Sequence, residues 1–123
     1  MNPEEIYNEA CKAGEEAGNA YNPVPMIVQT HENCFDDSSK VVAQDFISEG
    51  VCGFAWVLIS PARGKFVTWC RKNNIGGLAY EGGWRIGVRG FGQSMQRKEA
   101  YAEAFSNILN KYDIKSYYSS RLD

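Results

Sequence analysis

The chain has 123 residues, 44% of them hydrophobic and 13% aromatic, enough for one domain that buries its own core and too much bulk for a disordered chain. Thirteen Lys and Arg against 15 Asp and Glu leave a formal charge of −2, which excludes nucleic-acid binding by bulk charge alone. No run approaches the roughly 18 apolar residues that span a bilayer, and the opening residues Met-Asn-Pro-Glu-Glu lack the basic and apolar segments of a secretory leader.

Asn2 followed by Pro3, Glu4 and Glu5 predicts a helix start, with Asn as cap, Pro at the first position and carboxylates at the positive end of the dipole. Ile6, Ala10, Ala13 and Ala17 recur at helical spacing, and Gly14 and Gly18 beside them permit close approach of another element. The helix is expected to end near residues 18–20. Pro23 and Pro25 precede Met26, Ile27 and Val28, which read as a short edge strand. Residues 31–39 are loop-like, and 40–47 lean towards an extended segment. Residues 54–59, Phe-Ala-Trp-Val-Leu-Ile, form an unbroken apolar run that predicts a central strand buried on both faces. Ser60 and Pro61 then predict a helix running to about residue 73, ended by Ile75, Gly76 and Gly77. Residues 78–81 and 84–89 flank Gly82-Gly83, a two-residue hairpin signal. Trp84, Ile86 and Val88 alternate with Arg85, Gly87 and Arg89, so one face packs and the other presents guanidinium groups. Ser94 opens the longest helix, to about Tyr112, with Tyr101, Ala104, Phe105, Ile108 and Tyr112 on its core face and Arg97, Lys98, Glu99 and Glu103 solvated. Residues 114–119 close as a strand.

From residue 54 the order is β-α-β-β-α-β, the split unit of ferredoxin-like folds. The fold class expected is therefore α+β: an antiparallel four-stranded sheet with two helices on one face and the other face open. Residues 1–123 form one domain, in which 1–49 are an acidic extension with a helix and a strand, and 50–123 are the core. The extension is placed to cover a sheet edge or the open face.

Charge is unevenly spread. Residues 1–49 carry ten acids and two bases, a net of −8, whereas residues 50–123 carry five acids and eleven bases, a net of +6. Docking of the acidic segment on the basic one, or two solvated faces, is the simpler reading, and an anionic partner for the basic face is the alternative. Arg85, Arg89, Arg71 and Lys72 are the candidates for such a face, since guanidinium forks grip phosphate or carboxylate. Phe91 joins them because Arg89-Gly90-Phe91-Gly92 matches the first half of an RNA-binding strand motif, although Gln93, Ser94 and Gln96 replace its later stacking and apolar residues.

His31 and Cys34, with Asp36 and Asp37, offer a loop cluster, but a closed zinc site needs four ligands and the other thiols are isolated. Cys11, Cys34, Cys52 and Cys70 form no CxxC pair and read as reduced thiols of a cytoplasmic protein. The glycine pairs fit no phosphate-binding loop. No catalytic residue, metal or cofactor is expected, and the tryptophans read as core.

The phrases at residues 50–57 (Gly-Val-Cys-Gly-Phe-Ala-Trp-Val), 82–86 (Gly-Gly-Trp-Arg-Ile) and 93–101 (Gln-Ser-Met-Gln-Arg-Lys-Glu-Ala-Tyr), with the close Ser-Arg-Leu-Asp, resemble small tailed-bacteriophage proteins that have no assigned activity. The resemblance spans about residues 50–123 and implies a protein made in the cytoplasm of an infected bacterium, with no site residues to carry over. The function expected is a non-enzymatic binding module that associates with itself or with a host or phage protein and not with a membrane. The alternatives are a nucleic-acid accessory protein using the basic sheet face and an enzyme acting on a small phosphorylated ligand.

Overall fold

Asn2 caps the first helix as its sequence implies: its Oδ1 accepts the Glu5 N–H at 2.8 Å and its Nδ2 donates to Glu5 Oε1 at 2.9 Å. The computed structural model describes residues 2–22, 26–31, 41–47, 52–92 and 94–122, the spans 26–31 and 41–47 by their backbone alone. The first helix, α1, is Pro3–Ala20. β1 (Met26–His31) and β2 (Val41–Ile47) pair antiparallel as a separate two-stranded sheet. The extended reading therefore holds over residues 41–47, and the first strand runs on to His31. The loop-like stretch after His31 lies outside the described residues.

The remaining elements are β3 (Gly53–Ile59), α2 (Lys65–Lys72), β4 (Gly77–Leu78), β5 (Trp84–Gly87), α3 (Met95–Lys111) and β6 (Ser116–Leu122). The protein is α+β, and its larger sheet is antiparallel with the order β4-β5-β3-β6. Ala55, Val57 and Ile59 of β3 and Trp84 and Ile86 of β5 share one buried cluster with Phe66, Val67 and Cys70 of α2 and Ala102, Phe105 and Leu109 of α3. Both crossover helices thus lie on the same face of the sheet.

Each crossover helix ends in the same way. The Ile75 N–H donates to Cys70 O and the Ile114 N–H to Leu109 O, both at 2.9 Å, while Asn74 (φ 57°) and Asp113 (φ 62°) take the left-handed conformation between helix and strand. This is a Schellman ending, and Asn and Asp are the non-glycine residues that tolerate it best. Ile75 and Ile114 pack against the core, so the stop that the sequence assigned to Ile75, Gly76 and Gly77 is made by Asn74 and Ile75, with Asn73 as the cap.

Other boundaries also move. Ser60 and Pro61, joined by a cis peptide, do not open the helix, because the Arg63 N–H closes a tight turn on Pro61 O at 2.8 Å and Gly64 (φ 107°) is the cap. The hairpin is not a two-residue Gly82-Gly83 turn. The Gly82 N–H donates to Ala79 O at 3.0 Å and the Ala79 N–H to Gly83 O at 2.9 Å, which puts Tyr80 and Glu81 at the tip and both glycines at positive φ after it. A Cβ on Gly83 would meet Ile59 O at 2.8 Å. The last strand starts at Ser116 because Ile114 belongs to the helix ending.

α1 packs on the helical side of the sheet, antiparallel to α3, rather than over the open face. Its buried residues are Ile6, Ala10, Gly14 and Gly18. A Cβ added to Gly14 would stand 2.8 Å from the Tyr101 ring, and one on Gly18 2.4 Å from the Phe91 ring, so the glycines are the contact surface itself. At one end Glu9 accepts from Tyr112 Oη at 2.6 Å and from Lys111 Nζ at 3.0 Å, which holds its carboxyl below the usual range. At the other end Arg97 Nη1 donates to Gly18 O at 2.9 Å, a cation at the negative end of the α1 dipole.

This seam makes a signed prediction. Ala for Gly in an exposed helix gains about 1 kcal/mol, but Gly14→Ala drives a methyl into the Tyr101 ring, and overpacking of this kind costs about 1–3 kcal/mol. Urea unfolding should show Gly14→Ala less stable than the parent chain; a stabilised variant would mean that α1 does not lie on Tyr101.

Candidate functional site: the open sheet face

Strand alternation divides β3 into two sets of side chains. Ala55, Val57 and Ile59 face the helices, and Phe54, Trp56 and Leu58 face the other way. Of the second set only Leu58 is fully buried, at 3% exposure, while Phe54 is 38% exposed and Trp56 is half-buried. The central strand is therefore not buried on both faces, and Trp56 is not a core residue in the way that Trp84 is. Register places Gly87 of β5 and Ser119 of β6 on either side of Trp56, and Arg85 and Tyr117 on either side of Leu58. The residues directly opposite Trp56 are thus a glycine and a serine, so no bulky side chain is paired with its indole across either ladder.

Two guanidinium groups complete the face. Arg85 lies over the Trp56 ring with its central carbon 4.0 Å from the ring centre, and Arg121, paired with Phe54, lies 5.6 Å from the Phe54 ring centre. Lys98 approaches the same ring from α3, with Nζ 5.2 Å from its centre and donating to Gly53 O at 3.1 Å. This lysine is buried, contrary to the solvated position its charge suggested, because α3 is turned so that Ala102, Phe105, Ser106 and Leu109 meet the sheet while Tyr101 meets α1. Neither β3 nor β4, β5 or β6 contains an acidic residue. The result is a shelf of Phe54, Trp56 and Tyr117 edged by Arg85 and Arg121.

Of the cations singled out by sequence, Arg85 alone reaches this shelf. Arg71 and Lys72 end α2 on the helical side, where Arg71 lies 5.0 Å from the Trp84 ring centre. Arg89 and Phe91 turn away beyond the end of β5 and line a hollow of about 840 Å³ between α1 and the sheet. Phe91 is packed on Gly18 and its ring centre is 6.1 Å from that of Tyr101, so the Arg-Gly-Phe-Gly motif supplies no ring to the sheet surface. Phe54, Trp56, Tyr117 and Arg121 were missed as site residues. Period-two alternation along residues 54–58, read for exposed aromatics rather than for hydrophobicity, is the signal that finds the first two.

The hollow also receives Tyr7, Cys11 and Tyr101. Burial, reinforced by the Cys11 hydrogen bond, pushes the Tyr7 phenol up to about 12, and burial raises Tyr101 as well. Burial likewise pushes the neighbouring Cys70 thiol up to about 12. Tyr7, Tyr101 and Cys70 therefore keep their protons at neutral pH. Among the described residues no group of three His, Cys, Asp or Glu could hold a metal ion, and no helix is long and apolar enough to cross a membrane. Cys34 lies outside the described residues, and His31 is described by its backbone within β1.

No protein-family model, curated protein or solved structure gives a match to this chain.

The buried thiol sets an alkaline limit on stability. Unfolded Cys70 loses its proton near ~8.5, but the native thiol holds it to about 12. Between those values the native state binds more protons than the unfolded one, so stability falls as pH rises, by up to about 1.4 kcal/mol per pH unit for this group. Urea unfolding at several pH values should show that decline, and Cys70→Ala should flatten it; an unchanged slope in the variant would contradict the burial of the thiol.

Proposed function

We propose that this chain is a non-enzymatic binding module with a ferredoxin-like core, working in the bacterial cytoplasm, and that its open sheet face takes single-stranded nucleic acid. Numbered from β3, the strand order reads 2-3-1-4, which supports the split βαβ reading of residues 53–122. The resemblance of residues 50–123 to small phage proteins supports the setting and leaves the ligand open.

The observation that carries the ligand class is the Arg85–Trp56 pair on a face with two further exposed rings and no carboxylate on its strands. A ligand for such a shelf must bring flat faces to stack and negative charge for the guanidinium groups. Unpaired nucleotides bring both, and they stack on aromatic rings and on guanidinium planes alike. A duplex hides its base faces, and an apolar peptide would leave Arg85 and Arg121 without counter-charge. The acids of α1 do not oppose this, because Glu4, Glu5, Glu9, Glu15 and Glu16 belong to a helix on the far side of the sheet. A chain of net charge −2 then binds by stacking and a few phosphate contacts rather than by bulk charge.

Fluorescence anisotropy of a labelled single-stranded oligonucleotide tests this. Trp56→Leu should weaken binding by roughly 5- to 150-fold, the loss of about 1–3 kcal/mol of stacking. Arg121→Ala should lower the steepness of log K against log salt by about 0.7, one phosphate contact. Arg71→Ala and Lys72→Ala, across the sheet, should change neither. Absence of binding by the folded parent chain, or an equal loss in the α2 variants, would contradict the proposal.

A further inference from the structure

The larger sheet has two edges of different character. β4 is a two-residue strand, too short to recruit a partner, whereas β6 runs for seven residues along the other edge. Its ladder fixes which backbone groups point outward. The Ser60 N–H donates to Lys115 O at 3.2 Å, so Lys115 turns its groups towards β3. By alternation Tyr117, Ser119 and Arg121 do the same, and Ser116, Tyr118, Ser120 and Leu122 point theirs away.

Asn110 corroborates this phase. Its side chain takes both outward groups of Ser116, donating from Nδ2 to Ser116 O and accepting the Ser116 N–H on Oδ1, each at 3.0 Å. An amide side chain thus substitutes for a neighbouring strand at that one position. Beyond it the outward N–H and C=O groups of Tyr118, Ser120 and Leu122 have no partner among the described residues. Tyr118 is 39% and Leu122 65% exposed, no proline, lysine or bulge interrupts the run, and its one charged residue, Arg121, lies over the Phe54 ring on the open face.

We propose that β6 is the self-association edge of this protein, pairing antiparallel with β6 of a second copy. The occupant follows from the pattern of the edge. The free groups belong to Tyr118, Ser120 and Leu122, with Asn110 closing the run at Ser116, so the ladder that engages all three residues of both copies has its two-fold axis at Ser120. In that register Tyr118 of each copy lies opposite Leu122 of the other on the helical side, which gives each exposed apolar side chain an apolar neighbour. On the open side Ser119 faces Arg121, so the two guanidinium groups are not directly opposed. The strand is complementary to itself, as an isologous contact requires. The two open faces would become one continuous surface of eight strands, although the pairing does not depend on what that surface binds. A ladder of this length is a small interface, so association is concentration-dependent rather than permanent.

Sedimentation velocity of the chain alone, without nucleic acid, over a range up to high micromolar concentration should show a reversible dimer. Tyr118→Pro, which removes an outward N–H at an edge position where proline is tolerated, should be monomeric with unchanged circular dichroism. Position-specific oxidation gives a second reading if that variant fails to fold. Ser120 of one copy lies opposite Ser120 of the other at a Cα separation near ~5.5 Å, within reach of a disulfide. Ser120→Cys should therefore form a reducible covalent dimer well above the background of the parent chain, and Ser119→Cys should not. A chain that stays monomeric throughout, a dimer unaffected by Tyr118→Pro, or cross-linking as strong at position 119 as at 120 would overturn the proposal.

Discussion

A helix that presents Ala10, Gly14 and Gly18 to its neighbour has almost no side chain with which to hold a distance, so it must lie against its partner at close to backbone range. In this protein the partners are Tyr101 of α3 and Phe91 of the loop that precedes it, whose rings occupy the space a Cβ would need. That contact depends on the helical side of the sheet, because Tyr7 of α1 must also meet Phe105 and Trp69, with ring centres 5.9 and 5.3 Å away. Three helices therefore share one face of the larger sheet, and Phe54, Trp56 and Tyr117 keep their exposure on the other. The availability of the shelf is a consequence of where α1 can fit.

The same seam accounts for part of the charge asymmetry along the chain. Lys111 pairs with Glu9, Arg97 closes the carbonyl end of α1, and Arg71 covers Trp84. Three of the eleven bases of the second half thus help to hold the fold, and one of them, Lys111, does so by pairing with an acid of the first block. Arg85 and Arg121 differ in lying over rings of the open face, where neither has a carboxylate partner among the described residues. Guanidinium groups parked on aromatic faces are positioned without being neutralised, which is the condition for recruiting an anion.

Local signals with a single physical cause were readable in the sequence. Asn2-Pro3 starts α1 and Ser94 caps α3, with its Oγ accepting the Arg97 N–H at 3.4 Å, because capping depends on one side chain and its own next turn. The alternation at residues 84–87 gave the two faces of β5 correctly. What failed were inferences in which two readings satisfied the same residues. An apolar run such as residues 54–59 fits a strand buried on both sides as well as one with an aromatic shelf, and only the siting of α1 decides between them. Arg89 was placed beside Arg85 by extrapolating the alternation past Gly87, where the strand ends. Lys98 was read as solvated from its charge, yet the Gly53 carbonyl at the end of β3 gives its ammonium a buried partner that no local pattern announces.

The central claim is that ligand contact occurs on the sheet surface away from all three helices. Photo-cross-linking of a halogenated single-stranded oligonucleotide to the full chain, followed by mass spectrometry of the adducts, reads the contact residues directly. The account predicts adducts at Phe54, Trp56 and Tyr117. Adducts confined to Tyr7, Phe91 and Tyr101 in the hollow beneath α1 would contradict it.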